Sequence, residues 1–245
     1  MWKFLYQLAS PRIFYQWTGR ALPLLLAAAL LGLILGSIWG LFFAPADYQQ
    51  GDAFRIIYIH VPSAFLSMAL YGWMGFLAFL LLVWRIKIAG LLIHQVAHVG
   101  MWMALLALVT GSIWGKPMWG TWWIWDARLT SELILFLLYA ATIAIYHSLK
   151  NKEAADKIIA IITLVGIIDL PIIHYSVYWW NTLHQGATFS VFAKPKIALD
   201  MLYPLLLMLL GFFSWSLWTI TARARQELLL REKRQEWVKN LMNEI

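Results

Sequence analysis

The sequence predicts an all-α integral membrane protein, a bundle of six transmembrane helices. Hydrophobic residues make up 62% of the 245 and charged residues 13%, where soluble domains average about 45–50% and about 25%. Six apolar stretches each approach or exceed the ~20 residues a helix needs to cross the hydrocarbon core. The Lys and Arg residues gather at alternate ends of those stretches, the asymmetry that orients a multi-span chain.

Residues 1–20 carry Lys3, Arg12 and Arg20 among Trp2, Phe4, Leu5, Leu8, Phe14 and Trp17, the pattern of a helix lying in the membrane interface. The first span is expected over Ala21–Phe43. Ala44-Pro45-Ala46 resembles a signal-peptidase site. The apolar run before it is much longer than the ~7–15 residues of a signal h-region, so it is expected to remain as an anchor. A polar loop with Asp47, Asp52 and Arg55 leads to the second span, Ile59–Trp84. His60 opens that span, and Pro62 falls in its first turn, where a missing N–H costs nothing. The third span is expected over Leu92–Ile113, the fourth over Leu129–Leu149, the fifth over Ile158–Tyr175 and the sixth over Ile197–Thr221. The tail from Ala222 to Ile245 is basic and helical in composition, suited to anionic lipid or to a cytoplasmic subunit. No repeat or low-complexity linker divides residues 1–245, which read as one domain.

Fourteen of the 19 Lys and Arg residues fall on the side of the termini and five on the other. The positive-inside rule then puts both termini in the cytoplasm and two tryptophan-rich loops outside. The absence of cysteine removes disulfides, thiolate metal sites, a thiol nucleophile and the c-type haem attachment motif. There is no phosphate-binding Gly-rich loop followed by Lys-Ser/Thr, so any ATP-driven step belongs to a partner. The net charge of +7 is accounted for by the membrane orientation, with no nucleic-acid partner implied.

The first outer loop, residues 114–130, reads WGKPMWGTWWIWDARLT. Trp114, Trp119, Trp122, Trp123 and Trp125 stand within twelve residues, followed by Asp126 and Arg128. Gly115, Pro117 and Gly120 are expected to break any helix there. The second, residues 176–196, reads SVYWWNTLHQGATFSVFAKPK. A membrane aromatic belt spreads over all span ends, but seven of the 16 tryptophans lie in these two outer stretches. Such a surface suits a flat ring system, because stacking and edge contacts add to the area buried.

The six histidines divide by side. His60 and His184 lie at the level of the tryptophans on different segments, and two neutral imidazoles so placed can ligate a haem iron axially. His174, inside the last turn of a span, is the third choice. Near the cytoplasmic ends are His94, His98 and His147. His94 and His98 share a helix face, but with no carboxylate nearby in sequence they read as interfacial histidines before a metal pair. Asp169 sits within the fifth span, two residues before Pro171. It is either a functional charge or a hydrogen-bonded residue at a proline kink. Arg128, Arg55, Lys194 and Lys196 are the outer cations available to haem propionates. Arg128 is favoured because it belongs to the tryptophan run. Asp126 is suited to orient Arg128, or to hydrogen-bond an indole N–H or a histidine.

WGKPMWGTWWIWDARLT resembles the tryptophan-rich WWD signature of the haem-handling membrane proteins of cytochrome c assembly. IHVPSAF at 59–65 and SVYWWNTLHQG at 176–186 resemble flanking motifs of one branch, the cytochrome c maturation protein C or haem exporter protein C family. The resemblance extends over essentially the whole chain. It implies a protein of the bacterial inner membrane that holds haem b, in transit and non-covalently, at the periplasmic face between the WWD loop and His60 and His184. It also implies delivery to a periplasmic haem chaperone, cytochrome c maturation protein E, which takes haem covalently through a histidine. A small single-span partner (protein D) assists, and ABC transporter subunits (proteins A and B) release the loaded chaperone. No charged channel runs through the spans, so the chain reads as a platform and not a pump. Two alternatives remain open: a haem lyase that attaches haem to apocytochrome c, and a bis-histidine transmembrane electron-transfer cytochrome.

Overall fold

The computed structural model describes residues 10–180, 182–184 and 197–243. Helix α1 is Pro11–Ile38, extended by a wider π-turn at Trp39–Phe43. It begins on a proline at its first helical position, where the lost N–H has no partner to lose. The separate interfacial helix expected before Ala21 is not found from Pro11 onward: that segment continues directly into the span. Pro23 removes one donor from the ladder without ending it. Residues 1–9 lie outside the described residues.

A short 3-10 turn, Asp52–Ile56, leads into α2, Ile57–Trp84. Arg85, at φ 56°, caps α2 in the left-handed region, and α3 runs over Lys87–Trp119. Then come α4 (Ala127–Ser148), α5 (Lys152–Gly166), α6 (Asp169–Trp179), α7 (Leu199–Arg231) and α8 (Glu236–Asn243). Among the described residues, six helical segments are long and apolar enough to cross a membrane.

The fifth span is two helices and not one. Pro171 has no N–H to offer the Ile167 carbonyl, which accepts from Leu170 instead at 3.1 Å. The ladder therefore tightens around Ile167 and Ile168 before α6 begins. The sixth span does not stop at Thr221. Its basic extension stays helical because the cations find partners within the bundle. Arg225 donates to the Tyr15 carbonyl and lies 3.6 Å over the Tyr15 ring. Arg231 pairs with Asp156 at 2.6 Å and Glu227 at 2.9 Å. Residues 222–231 thus continue the sixth span as a packed part of the bundle, in place of the expected tail on lipid or on a cytoplasmic subunit.

The main core lies between α2, α3, α4 and α5, where Tyr71, Met74, Ile93, Leu135, Tyr139 and Ile159 are fully buried. Helix α1 packs along α7 through glycines. A Cβ on Gly32 would lie 2.7 Å from the Gly211 Cα, so only a side-chain-free seam allows the approach that small residues give helices in lipid. The opposite face of α1, with Leu24, Leu30, Leu31 and Ile34, is exposed, as a lipid-facing surface requires. One end of the bundle, formed by the Arg85–Ile86 and 149–151 turns and by the meeting of α1, α7 and α8, is basic. The opposite end is aromatic and carries the cavity described next.

Candidate functional site

Helix α3 continues through Trp114 to Trp119, so the helix break expected at Gly115 and Pro117 is not found. Pro117 falls in the last turn, where its missing donor frees one carbonyl only. Gly115 serves space and not flexibility: a Cβ there would lie 2.9 Å from the Trp119 ring. The helix stops at Gly120, at φ 76°, whose N–H closes on the Lys116 carbonyl at 3.1 Å. Asp126 then caps α4, accepting the Leu129 N–H at 2.8 Å. Within residues 114–130 only the stretch from 120 to 126 is non-helical. In the second aromatic loop, Ser176–Trp179 form the end of α6, and Lys194 and Lys196 lie outside the described residues.

The aromatic end encloses a cavity of about 690 Å³, within the ~300–1,000 Å³ range of small-molecule and cofactor sites. Three helices supply its walls at helical spacing. His60, Ala64 and Met68 come from α2, Gly111, Trp114 and Met118 from α3, and Leu170, His174 and Tyr178 from α6. Arg128 and His184 also line it. The cavity is mainly apolar, with a few polar groups converging on it.

His60 and His184, far apart in sequence, line the same cavity. His60 Nδ1 lies 3.0 Å from Thr110 Oγ1. The Thr110 hydroxyl proton is engaged by the Leu106 carbonyl at 2.6 Å, so its oxygen accepts and His60 Nδ1 carries the proton. A Cβ at position 111 would lie 3.1 Å from His60 Cε1, and glycine there leaves the ring its place. His184 Nδ1 lies 3.1 Å from Asp126 Oδ2. An ionised carboxylate only accepts, so His184 Nδ1 is also the protonated nitrogen. Both rings are thereby left with an Nε2 lone pair, the arrangement in which a partner at the other nitrogen orients a ligating imidazole. Burial pushes the His184 imidazole below its usual pKa, and the neighbouring Asp126 offsets this only in part.

Each histidine meets one tryptophan edge-on. His60 and Trp114 have ring centroids 5.5 Å apart, and His184 and Trp119 4.6 Å apart. The Trp114 indole donates to Gln50 Oε1 at 2.9 Å. Trp114 and Trp119 line the cavity, whereas Trp122, Trp123 and Trp125 are not among its lining residues. Trp122 and Trp125 are exposed, and the buried Trp123 Nε1 has no hydrogen-bond partner among the described residues. Arg128 lines the cavity, with its guanidinium 3.5 Å from the Ile173 carbonyl. Arg55 is engaged elsewhere, by the Gly40 carbonyl at 2.7 Å and Asp52 at 2.9 Å. Asp169 is buried at the α5–α6 break, and its Oδ2 has no partner among the described residues.

Thr110 and Gln50 are site residues that sequence reasoning missed. A threonine inside an apolar helix, one residue before a glycine, is a signal that marks Thr110 in retrospect. Gln50, in a polar loop, carries no such mark.

The profile of the "Heme exporter protein C" family matches residues 4–239. Proteins of that name are similar over nearly their whole length. The Haemophilus influenzae protein is 48% identical over 241 residues, covering 98% of each chain. The Escherichia coli K12 protein is 49% identical over 242 residues, covering 99% of this chain and 98% of its own. The Bradyrhizobium diazoefficiens protein is 44% identical over 230 residues, covering 94% and 87%. With a family profile and relatives that each span nearly the whole six-helix chain, the protein belongs to the heme exporter protein C family.

Proposed function

We propose that the chain handles haem in cytochrome c biogenesis, holding haem b in the aromatic-end cavity and delivering it to a periplasmic haem chaperone. One observation carries the reading: two imidazoles face one cavity, and each has its Nδ1 proton engaged, leaving Nε2 as a ligand. Haem supplies an iron for those two nitrogens and a flat ring for an apolar cavity walled by Trp114 and Trp119. Arg128 is the described cation placed to meet a propionate, for which its planar fork is suited. His184 holds its proton at Nδ1 through Asp126, so its ligand nitrogen needs no deprotonation before binding. The wall of α2 and α3 residues excludes water from one side, and the exposed Trp122 and Trp125 offer the chaperone a surface. Haem is cargo, and covalent attachment takes place on the chaperone, so the chain itself is not a catalyst.

The Lys/Arg asymmetry supports a bacterial inner-membrane orientation with the aromatic end at the periplasm. The name shared by the relatives, "Heme exporter protein C", supports assembly with other exporter subunits. The resemblance of the tryptophan and histidine motifs implies that these are a single-span protein D and the ABC transporter proteins A and B.

The test is the absorption spectrum of the purified chain beside the His60→Ala, His184→Ala double variant, with chaperone loading followed in parallel. A six-coordinate haem spectrum lost in the variant, together with lost loading, supports the reading. Unchanged haem in the variant overturns the ligand assignment. Normal loading by the variant overturns delivery through this cavity.

A further inference from the structure

The basic end of the bundle holds a second cluster of ligand side chains. His94 and His98 lie one turn apart on α3, and His147 lies in the last turn of α4. Each offers a nitrogen, and the three nitrogens are all within 4.8 Å of one another. His94 Nε2 and His98 Nε2 are 3.2 Å apart. Two nitrogens bound tetrahedrally at ~2.0–2.1 Å from one metal ion stand about 3.3 Å apart. We propose that His94, His98 and His147 bind a single transition-metal ion of the zinc–copper class, at the end of the bundle opposite the aromatic cavity.

The donor set defines the class of ion. Three neutral imidazoles with no carboxylate or thiolate suit zinc, copper or nickel and not calcium or magnesium. Arg223 contacts the neighbouring Gln95, and Arg231 lies 5.7 Å over the Tyr146 ring. Arg231 is itself paired with Asp156 and Glu227, so no spare carboxylate charge is left to attract a cation, and affinity comes from metal–nitrogen bonds, which are strongest toward the copper end of the divalent series. The Tyr146 ring stacks on His94 at 3.6 Å and 19°, fixing the plane of the buried imidazole. His147 is exposed at the end of its span, which gives the ion an entry path and leaves a position open to water.

Gln95 sets the state of His94. Its amide oxygen accepts from Arg223 Nε at 3.1 Å, and its NH2 faces His94 Nδ1 at 3.0 Å. Without metal, His94 Nδ1 is therefore an acceptor, and its Nε2–H donates to His98 Nε2. Metal binding moves the proton to Nδ1 and turns the Gln95 amide so that its oxygen accepts it. A carboxylate at position 95 meets both Arg223 and the Nδ1–H without turning.

The two sites are separate. Thr110, the partner of His60, lies sixteen residues beyond His94 on α3, about 24 Å at 1.5 Å per residue. The proposal does not rest on haem binding.

The test uses the full chain without a histidine tag, in detergent, titrated with Co2+ and then competed with Zn2+. One equivalent of Co2+ should give the intense visible bands of a four-coordinate ion, and Zn2+ should remove them. The exposed His147→Ala should weaken binding by at least the ~10–100-fold typical of losing a supporting residue, and Gln95→Glu should tighten it by a similar factor. The His60→Ala, His184→Ala variant should bind Co2+ unchanged. Absence of stoichiometric binding, or binding indifferent to both His147→Ala and Gln95→Glu, overturns the proposal and leaves a hydrogen-bonded histidine pair stacked on Tyr146.

Discussion

Asp126 holds His184 with one carboxylate oxygen, at 3.1 Å, and caps α4 with the other, 2.8 Å from the Leu129 N–H. One short side chain thus ties the end of a span to a loop imidazole that approaches from beyond α6. The two roles separate by substitution. In Asp126→Asn the amide oxygen keeps the cap while the NH2 faces His184 Nδ1, which drives the ring proton to Nε2. Haem retention should then fall about 10–100-fold, with the thermal unfolding midpoint nearly unchanged. Asp126→Ala loses both roles and should also lower stability by about 1 kcal/mol, the usual worth of an N-cap. Haem-to-protein ratio and thermal melting, measured on both variants, check the separation.

Thr110 plays the corresponding part for His60. Thr110→Val keeps the shape of the side chain and removes the acceptor at 3.0 Å, so His60 no longer favours the tautomer with Nε2 free. Haem affinity should drop about tenfold or more, and Thr110→Ser should restore it. Equal affinity in all three proteins, read by haem titration, would deny Thr110 any orienting role.

The pH dependence has a definite sign. Burial lowers the His184 pKa, partly offset by Asp126. Between that lowered value and the unfolded imidazole value of about 6.5, the unfolded chain binds more protons than the folded one. Stability at this loop therefore rises with pH through that window and is lost on acidification. Ligation also needs the neutral ring. Acid release of haem, followed by absorbance, should have its midpoint below pH ~6.5. A midpoint at neutral pH would contradict the burial of His184.

Arg128 can be examined with the cargo altered as well as the protein. Wild type should bind haem dimethyl ester more weakly than haem, because the propionate charge is gone. Arg128→Met should lose affinity for haem by about 1.5–3 kcal/mol, the range of a hydrogen bond to a charged group, and should not distinguish haem from its ester. A variant that still discriminates would place the propionate partner elsewhere.

The seam between α1 and α7 is a stability prediction independent of haem. Gly211→Val forces a side chain against the α1 backbone, and a Cβ at 211 would already lie 2.6 Å from Leu33 N. Overpacking of this kind costs about 1–3 kcal/mol, measurable as a lower unfolding midpoint in detergent.

The six spans were legible in the sequence because apolar length alone reports a membrane crossing. Where helices end was less legible. Pro117 reads as a breaker, yet in a last turn it costs one bond, and Gly115 is there for the Trp119 ring. The basic run after Thr221 reads as a helical tail for lipid or a cytoplasmic subunit because its partners, Tyr15 and Asp156, lie far back in the sequence. His60 and His184 could be placed at one level by counting spans, and the structure puts both on one cavity. Thr110 and Gln50 depend on contacts between segments fifty or more residues apart, which no periodicity records. His147 was visible as a third histidine on the basic side, but only the crossing of α3 and α4 brings it to His94 and His98.

The glycine seam also bears on truncation of the chain. Helix α1 comes before the other described spans in the chain, and its principal partner, α7, comes after them all. Without α7 the Gly32–Gly36 groove has no protein surface to meet it. The same helix carries Arg225, so the contact with Tyr15 also depends on it. The seam thus joins the first and last of the described spans, so a chain cut short before residue 199 would keep every earlier span and lose the principal partner of α1.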